Sequence, residues 1–88
     1  NYELVKRIPA HNFAVYAIKF SPDHTKFITV SRDKSFKLWD AKTLEVITKV
    51  DYKVGGHKAS VNAVLWTKSN LIITTGDDRS IKVWEIEE

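Results

Sequence analysis

The chain repeats itself. Displaced by 46 positions, His11, Val15 and Ala17 fall on His57, Val61 and Ala63, while Ile18 and Phe20 meet the similar Val64 and Trp66. Beyond that point the displacement is 45, and Ile28, Thr29, Asp33, Ser35, Lys37 and Trp39 coincide with Ile73, Thr74, Asp78, Ser80, Lys82 and Trp84. A period of this size marks stacked supersecondary units, each unable to bury its apolar surface alone. The slip of one residue falls in a polar turn, where shortening is tolerated; inside a strand it would send every side chain to the opposite face.

Each unit consists of short runs rich in Val, Ile, Thr, Phe, Tyr and Trp between polar turn residues, and no run carries an apolar stripe at helical spacing. The fold class is all-β. Strands are expected near Tyr2 to Arg7, Val15 to Phe20, Lys26 to Ser31, Phe36 to Trp39, Val46 to Val50, Val61 to Trp66, Leu71 to Thr75 and Ile81 to Ile86. Ser21-Pro22-Asp23-His24, Arg32-Asp33-Lys34, Asp40-Ala41-Lys42 and Asp77-Asp78-Arg79 have turn chemistry. The longest connection, Tyr52 to Ala59 with Gly55-Gly56, divides the units.

Ala10-His11 and Gly56-His57 open the units, and Trp39-Asp40 and Trp84-Glu85 close their third strands. With Phe20-Ser21-Pro22-Asp23 and the run from Val30 to Asp40, these residues resemble the WD-repeat family of β-propellers over nearly the whole chain. The resemblance implies blades, each an antiparallel four-stranded sheet. Residues 1–10 would supply the outer strand of a preceding blade, 11–51 a first repeat, and 52–88 a second repeat lacking its outer strand. It further implies a hydrogen-bonded tetrad of His11, Ser31, Asp33 and Trp39, and buried groups of these types do need partners. In the second unit His57, Asp78 and Trp84 align, but Gly76 stands at the hydroxyl position, so a water bridge or a looser blade is expected there.

Enzyme chemistry finds little footing. His11, Ser31 and Asp33 are the residue types of a hydrolase triad, but no nucleophile-elbow pattern surrounds Ser31, and the structural reading is preferred. No catalytic residue is assigned. No cofactor is expected: three glycines form neither a dinucleotide nor a Walker pattern. Zero cysteines exclude disulfides and thiolate zinc sites, and the three histidines, His11, His24 and His57, show no ligand spacing. The net charge of +3 comes from interspersed signs, so Lys6, Arg7, Lys34, Lys37, Lys42, Lys53 and Lys58 make a poor nucleic-acid patch, and nucleic acid is disfavoured as a partner. No apolar run approaches the roughly 20 residues that cross a bilayer, so no membrane partner is expected. With no visible address, cytoplasm is the expected location.

A propeller ring holds about 4–8 blades, so two blades leave apolar faces in want of neighbours. The chain also starts at Asn1 and contains no methionine. The expectation is therefore the C-terminal two blades of a larger propeller, with copies of the chain assembling into a ring as the alternative. The resemblance implies a non-catalytic scaffold presenting a top face to a protein or peptide. The positions implied to line that face are Ala14, Tyr16 and Arg32 in the first unit and Ser60, Asn62 and Asp77 in the second.

Overall fold

β-branched and aromatic side chains fit a pleated, half-buried surface, and polar turn residues let the chain reverse between such runs. In the computed structural model, which describes residues 2–86, the strands are β1 (Val15–Phe20), β2 (Lys26–Ser31), β3 (Phe36–Asp40), β4 (Val46–Val50), β5 (Val61–Trp66), β6 (Leu71–Gly76) and β7 (Ile81–Glu85), with a short 3-10 turn at Tyr52–Val54 before β5. They pair antiparallel into a four-stranded sheet ordered β1-β2-β3-β4 and a three-stranded sheet ordered β5-β6-β7. Asn1, Glu87 and Glu88, at the ends of the expected domain ranges, lie outside the described residues.

The expected strand at Tyr2 to Arg7 does not form. A strand needs an edge to pair with, and this segment meets none: Tyr2, Leu4 and Val5 are 105%, 82% and 94% exposed. The difference between the two displacements lies in the first turn of each unit. The Ser21 N–H donates to the Lys26 carbonyl at 2.8 Å, whereas the Thr67 N–H donates to the Leu71 carbonyl at 2.9 Å, closing a loop shorter by one residue. Pairing beside the turns is unaffected: Phe20 faces Phe27, and Trp66 faces Ile72.

Both first strands carry a bulge at the same place. Val15 pairs with Ser31 and Ala17 with Val30, leaving Tyr16 extra; Val61 pairs with Gly76 and Ala63 with Thr75, leaving Asn62 extra. A bulge re-aims the side chain it frees and strengthens the local twist.

The sheets pack on each other through an apolar core. Ile28, Val30 and Phe36 of the first meet Val61, Val64 and Ile72 of the second, and Trp84 sets its indole edgewise on the Phe36 ring, 5.2 Å between centroids. Each sheet has another face. On the first it carries Val15, Ile18 and Phe20, each about half exposed, and on the second Ile81 and Val83, 72% and 60% exposed. The connection into the second sheet passes close beneath itself: the Gly56 N–H donates to the Asp51 carbonyl at 2.7 Å, and a Cβ on Gly56 would stand 2.5 Å from that oxygen.

Candidate functional site

Two matching networks tie the loop before each first strand to the middle of its sheet. In the first, His11 Nδ1 lies 2.8 Å from the Asp33 carboxylate, His11 Nε2 lies 2.8 Å from Thr29 Oγ1, and the Trp39 indole N–H donates to the same hydroxyl at 2.9 Å. In the second, His57 Nδ1 lies 3.0 Å from Asp78, His57 Nε2 lies 2.8 Å from Thr74 Oγ1, and the Trp84 indole N–H donates to Thr74 at 3.0 Å. The Ser35 and Ser80 hydroxyls donate to Asp33 and Asp78.

Two expectations are thereby corrected. The hydroxyl linking imidazole to indole is Thr29, not Ser31, whose Oγ instead donates to the Ala14 carbonyl at 2.8 Å and accepts the Asp33 N–H at 3.0 Å. Strand geometry is the reason. Thr29 lies in the middle of β2, diagonal across the pair from Trp39, whereas Ser31 is the last residue of that strand, where hydroxyls cap turns. The second network is not interrupted at Gly76, because Thr74 bridges His57 and Trp84 directly, with no water required. The same geometry disposes of a hydrolase triad, since the Ser31 hydroxyl is committed to a backbone carbonyl and is not aimed at His11. Among the described residues no three His, Cys, Asp or Glu side chains gather as a metal site would require, and no helix is long and apolar enough to cross a membrane.

The partners fix the proton positions. Neutral His11 donates Nδ1–H to Asp33, with Ser35 Oγ 3.3 Å away, and accepts the Thr29 hydroxyl at Nε2, while Thr29 accepts from Trp39, so each group acts in its proper sense. Protonation at Nε2 would point a second donor at Thr29 and orphan its hydroxyl hydrogen. Burial accordingly holds the His11 pKa below its ordinary 6.5, outweighing the opposing pull of Asp33, so the contact is an imidazole N–H on a carboxylate and not a pair of full charges. Burial also pushes Asp33 upward, but hydrogen bonds from Ser35 and His11 outweigh it and leave the carboxyl below its ordinary 3.8. Asp78 is depressed more strongly, chiefly by the Ser80 hydroxyl.

These shifts give acid sensitivity of one sign. A depressed pKa in the folded state means that the unfolded chain binds the proton more readily, so stability falls as pH drops. The His11 share is complete above pH 6.5 and declines below it; the Asp33 and Asp78 shares decline below 3.8. Urea midpoints measured by tryptophan fluorescence at pH 7.5, 5.5 and 3 are expected to fall in two steps, and a midpoint at pH 5.5 equal to or above that at 7.5 contradicts the neutral-imidazole assignment.

Hydrogen bonds join five of the six expected face residues around the bulges, and the sixth, Tyr16, is the residue that the first bulge frees. Arg32 N–H donates to the Ala14 carbonyl at 3.1 Å, and Asp77 N–H donates to the Ser60 carbonyl at 2.9 Å, equivalent contacts in the two sheets. Asn62 Nδ2 donates to the Asp77 carboxylate at 2.6 Å. Ser60 Oγ donates to the Arg32 carbonyl at 3.2 Å, joining the loops of one sheet to those of the other. Tyr16 is 48% exposed. The Arg32 guanidinium stands 5.7 Å from the ring centroid of Phe13, itself 60% exposed. Phe13 escaped the reading of the sequence, and so did the bridging role of Thr29 and Thr74. The signal for the threonines was present, because they coincide in the repeat together with Ser35 and Ser80.

The family model of the WD domain, G-beta repeat, matches residues 2–40 and again 48–85. The chain belongs to the WD40 repeat family. Its sheets are antiparallel WD40 blades, one with four strands and one with three among the described residues. It is similar to Denticleless protein homolog B of Xenopus laevis, 36% identical over 93% of this chain and 11% of that protein. It is also similar to the Ribosome biogenesis protein WDR12 homolog of Trichoplax adhaerens, 31% identical over 88% of this chain and 23% of that protein. A third relative is Pre-mRNA-processing factor 17 of Homo sapiens, 32% identical over 80% of this chain and 12% of that protein. The chain thus spans from about a tenth to a quarter of the length of these WD40 relatives.

Proposed function

We propose that this chain serves as a non-catalytic docking platform that binds a protein or peptide on the face built from Ala14, Tyr16, Arg32, Ser60, Asn62 and Asp77. The observation that carries the reading is the Ser60 to Arg32 hydrogen bond, which makes the loops of two blades one surface. That surface combines an aromatic ring at each of Phe13 and Tyr16, a guanidinium held over the first, and a carboxylate oriented by Asn62. Arg and Tyr are residue types enriched where binding energy concentrates in interfaces: Tyr offers a large contact area with little rotamer entropy lost, and Arg a planar, preorganised fork of donors. A cation and an anion side by side suit a mixed-charge peptide better than a polyanion. Two of the relatives carry names from different processes, ribosome biogenesis and pre-mRNA processing, which supports a shared platform and not a shared reaction.

Mixed-charge peptides selected from a displayed random library against the chain provide the test. Tyr16→Ala and Arg32→Ala are each expected to weaken the selected peptides about tenfold or more. Lys42→Ala, in the turn between β3 and β4, serves as the control and should leave affinity unchanged. Equal affinity for all three variants, with β-structure intact by circular dichroism, removes the assignment. An oligonucleotide bound more tightly than the peptides, with an affinity that falls steeply as salt is added, would instead favour nucleic acid.

A further inference from the structure

The repeat has a second consequence, independent of peptide docking. Strand β3 (Phe36–Asp40) pairs on both sides, with β2 and with β4; its counterpart β7 (Ile81–Glu85) pairs with β6 alone among the described residues. The sequence contains a second copy of the β4 pattern. Leu44-Glu45-Val46-Ile47-Thr48-Lys49-Val50 is matched position by position by Tyr2-Glu3-Leu4-Val5-Lys6-Arg7-Ile8, the exposed segment that forms no strand. An unpaired edge and an unpaired strand of the type that covers such edges are therefore present in one chain.

They lie on opposite sides of the molecule. Ile8 and Ala10 line a groove with Ile18, Phe27 and Trp39 on the face of the first blade turned away from the second, whereas β7 belongs to the second blade. The apolar faces match in the same way. In the observed interface Ile28, Val30 and Phe36 meet Val61, Val64 and Ile72. The repeat carries the first three onto Ile73, Thr75 and Ile81, and the second three onto Val15, Ile18 and Phe27. Those counterparts occupy the two outer faces, and five of the six are apolar. The bulge at Tyr16 is what puts Val15 and Ile18 on one side of the sheet, as the bulge at Asn62 does for Val61 and Val64.

We propose that the chain associates head to tail with copies of itself. Tyr2–Ile8 of a second copy becomes the outer strand on β7, and the outer face of that copy's first blade packs on the second blade. The β3–β4 pairs are Phe36 with Val50, Lys37 with Lys49, Leu38 with Thr48 and Trp39 with Val46. Transferred through the repeat, they give Ile81 with Ile8, Lys82 with Arg7, Val83 with Lys6 and Trp84 with Leu4. Leu4 then enters the apolar hollow of about 450 Å³ between the blades, lined by Phe36, Leu38, Ile47, Val50, Ile72 and Trp84. The contact is heterologous and repeats the relation between the chain's own two blades, and the rotation characteristic of propeller blades brings such contacts round into a ring. A ring of about 4–8 blades holds two to four copies.

Two measurements on the 88-residue chain decide the matter. Light scattering across a concentration series is expected to give a mass that is a defined multiple of 10.1 kDa. The chain has no cysteine, so an introduced pair is the only one. Lys6→Cys with Val83→Cys should oxidise to covalent multimers between copies, while Lys6→Cys with Lys82→Cys, which places the thiols on opposite faces, should not. Lys6→Pro with Arg7→Pro removes N–H groups of both parities from a segment that no strand pairs, and should leave a monomer with unchanged circular dichroism. A monomeric parent chain, multimers equally strong for both cysteine pairs, a bond within one chain, or a proline variant that still assembles each overturns the proposal.

Discussion

Replacing Thr29 by valine is expected to destabilise the fold by about 2–5 kcal/mol. Valine has nearly the volume of threonine, so no cavity opens. What changes is bonding: the Trp39 indole N–H loses its acceptor and His11 Nε2 its donor, and both groups lie in or against the sheet, with Trp39 6% exposed. Each buried polar group left without a partner costs about 1–3 kcal/mol. Thr74→Val should act likewise through Trp84 and His57.

Thr29→Ser is the decisive control, because it keeps the hydroxyl and removes one methyl, at a cost near 0.8 kcal/mol. Urea unfolding followed by fluorescence gives the energies, and the Trp39 indole proton provides a second reading: its exchange with solvent should accelerate in Thr29→Val and stay slow in Thr29→Ser. If valine and serine variants are equally stable, the hydroxyl is not the link between ring and indole. A tetrad routed through Ser31 would predict a slow indole proton in Thr29→Val, so the comparison also separates the two assignments.

How much of this was legible beforehand depends on whether a property is carried by pattern or by pairing. The repeat located β1 to β7 to within a residue because alternation and turn chemistry are local. The strand expected at Tyr2 to Arg7 failed for the complementary reason: its pattern is that of β4, but a strand exists only against an edge, and no pattern says which edge is within reach. The hydroxyl was misplaced by the same gap. Ser31, near the turn that bears Asp33, looks adjacent along the chain, yet the antiparallel register brings Thr29 to Trp39, and register is a relation between strands. The bulges that free Tyr16 and Asn62 leave no mark in composition at all, since a bulge is a count of two residues against one on a partner. The shortened turn after Trp66 was readable because a deletion in one copy of a repeat is measured against the other.

Gly76 is where the two readings lead to opposite experiments. If it were a defect, the missing hydroxyl of a tetrad, Gly76→Ser would repair the second blade by copying Ser31 from the first. The geometry says the reverse. A Cβ at position 76 would stand 2.6 Å from His57 Nδ1 and 2.9 Å from His57 Cγ, closer than nonbonded carbon tolerates, and 3.1 Å from Asp78 Oδ1. The obstructing atoms are a ring held at both nitrogens and only 1% exposed, so the imidazole cannot swing aside without losing Asp78 or Thr74. Backbone strain is not involved, because Gly55 is the glycine with positive φ and Gly76 is not. Gly76→Ala and Gly76→Ser are therefore both expected to destabilise, by about 1–3 kcal/mol through overpacking. The serine hydroxyl offers little relief, because it cannot enter a network already closed by Thr74. The mirror experiment, Ser31→Gly, should be milder in the first blade, removing the bonds to Ala14 and Asp33 while leaving the His11 bridge to Trp39 in place. Urea midpoints of the three variants order the outcomes. A Gly76→Ser chain as stable as the parent or more so would mean that His57 has room to spare and that the absent side chain, not the close approach, is what distinguishes the second blade.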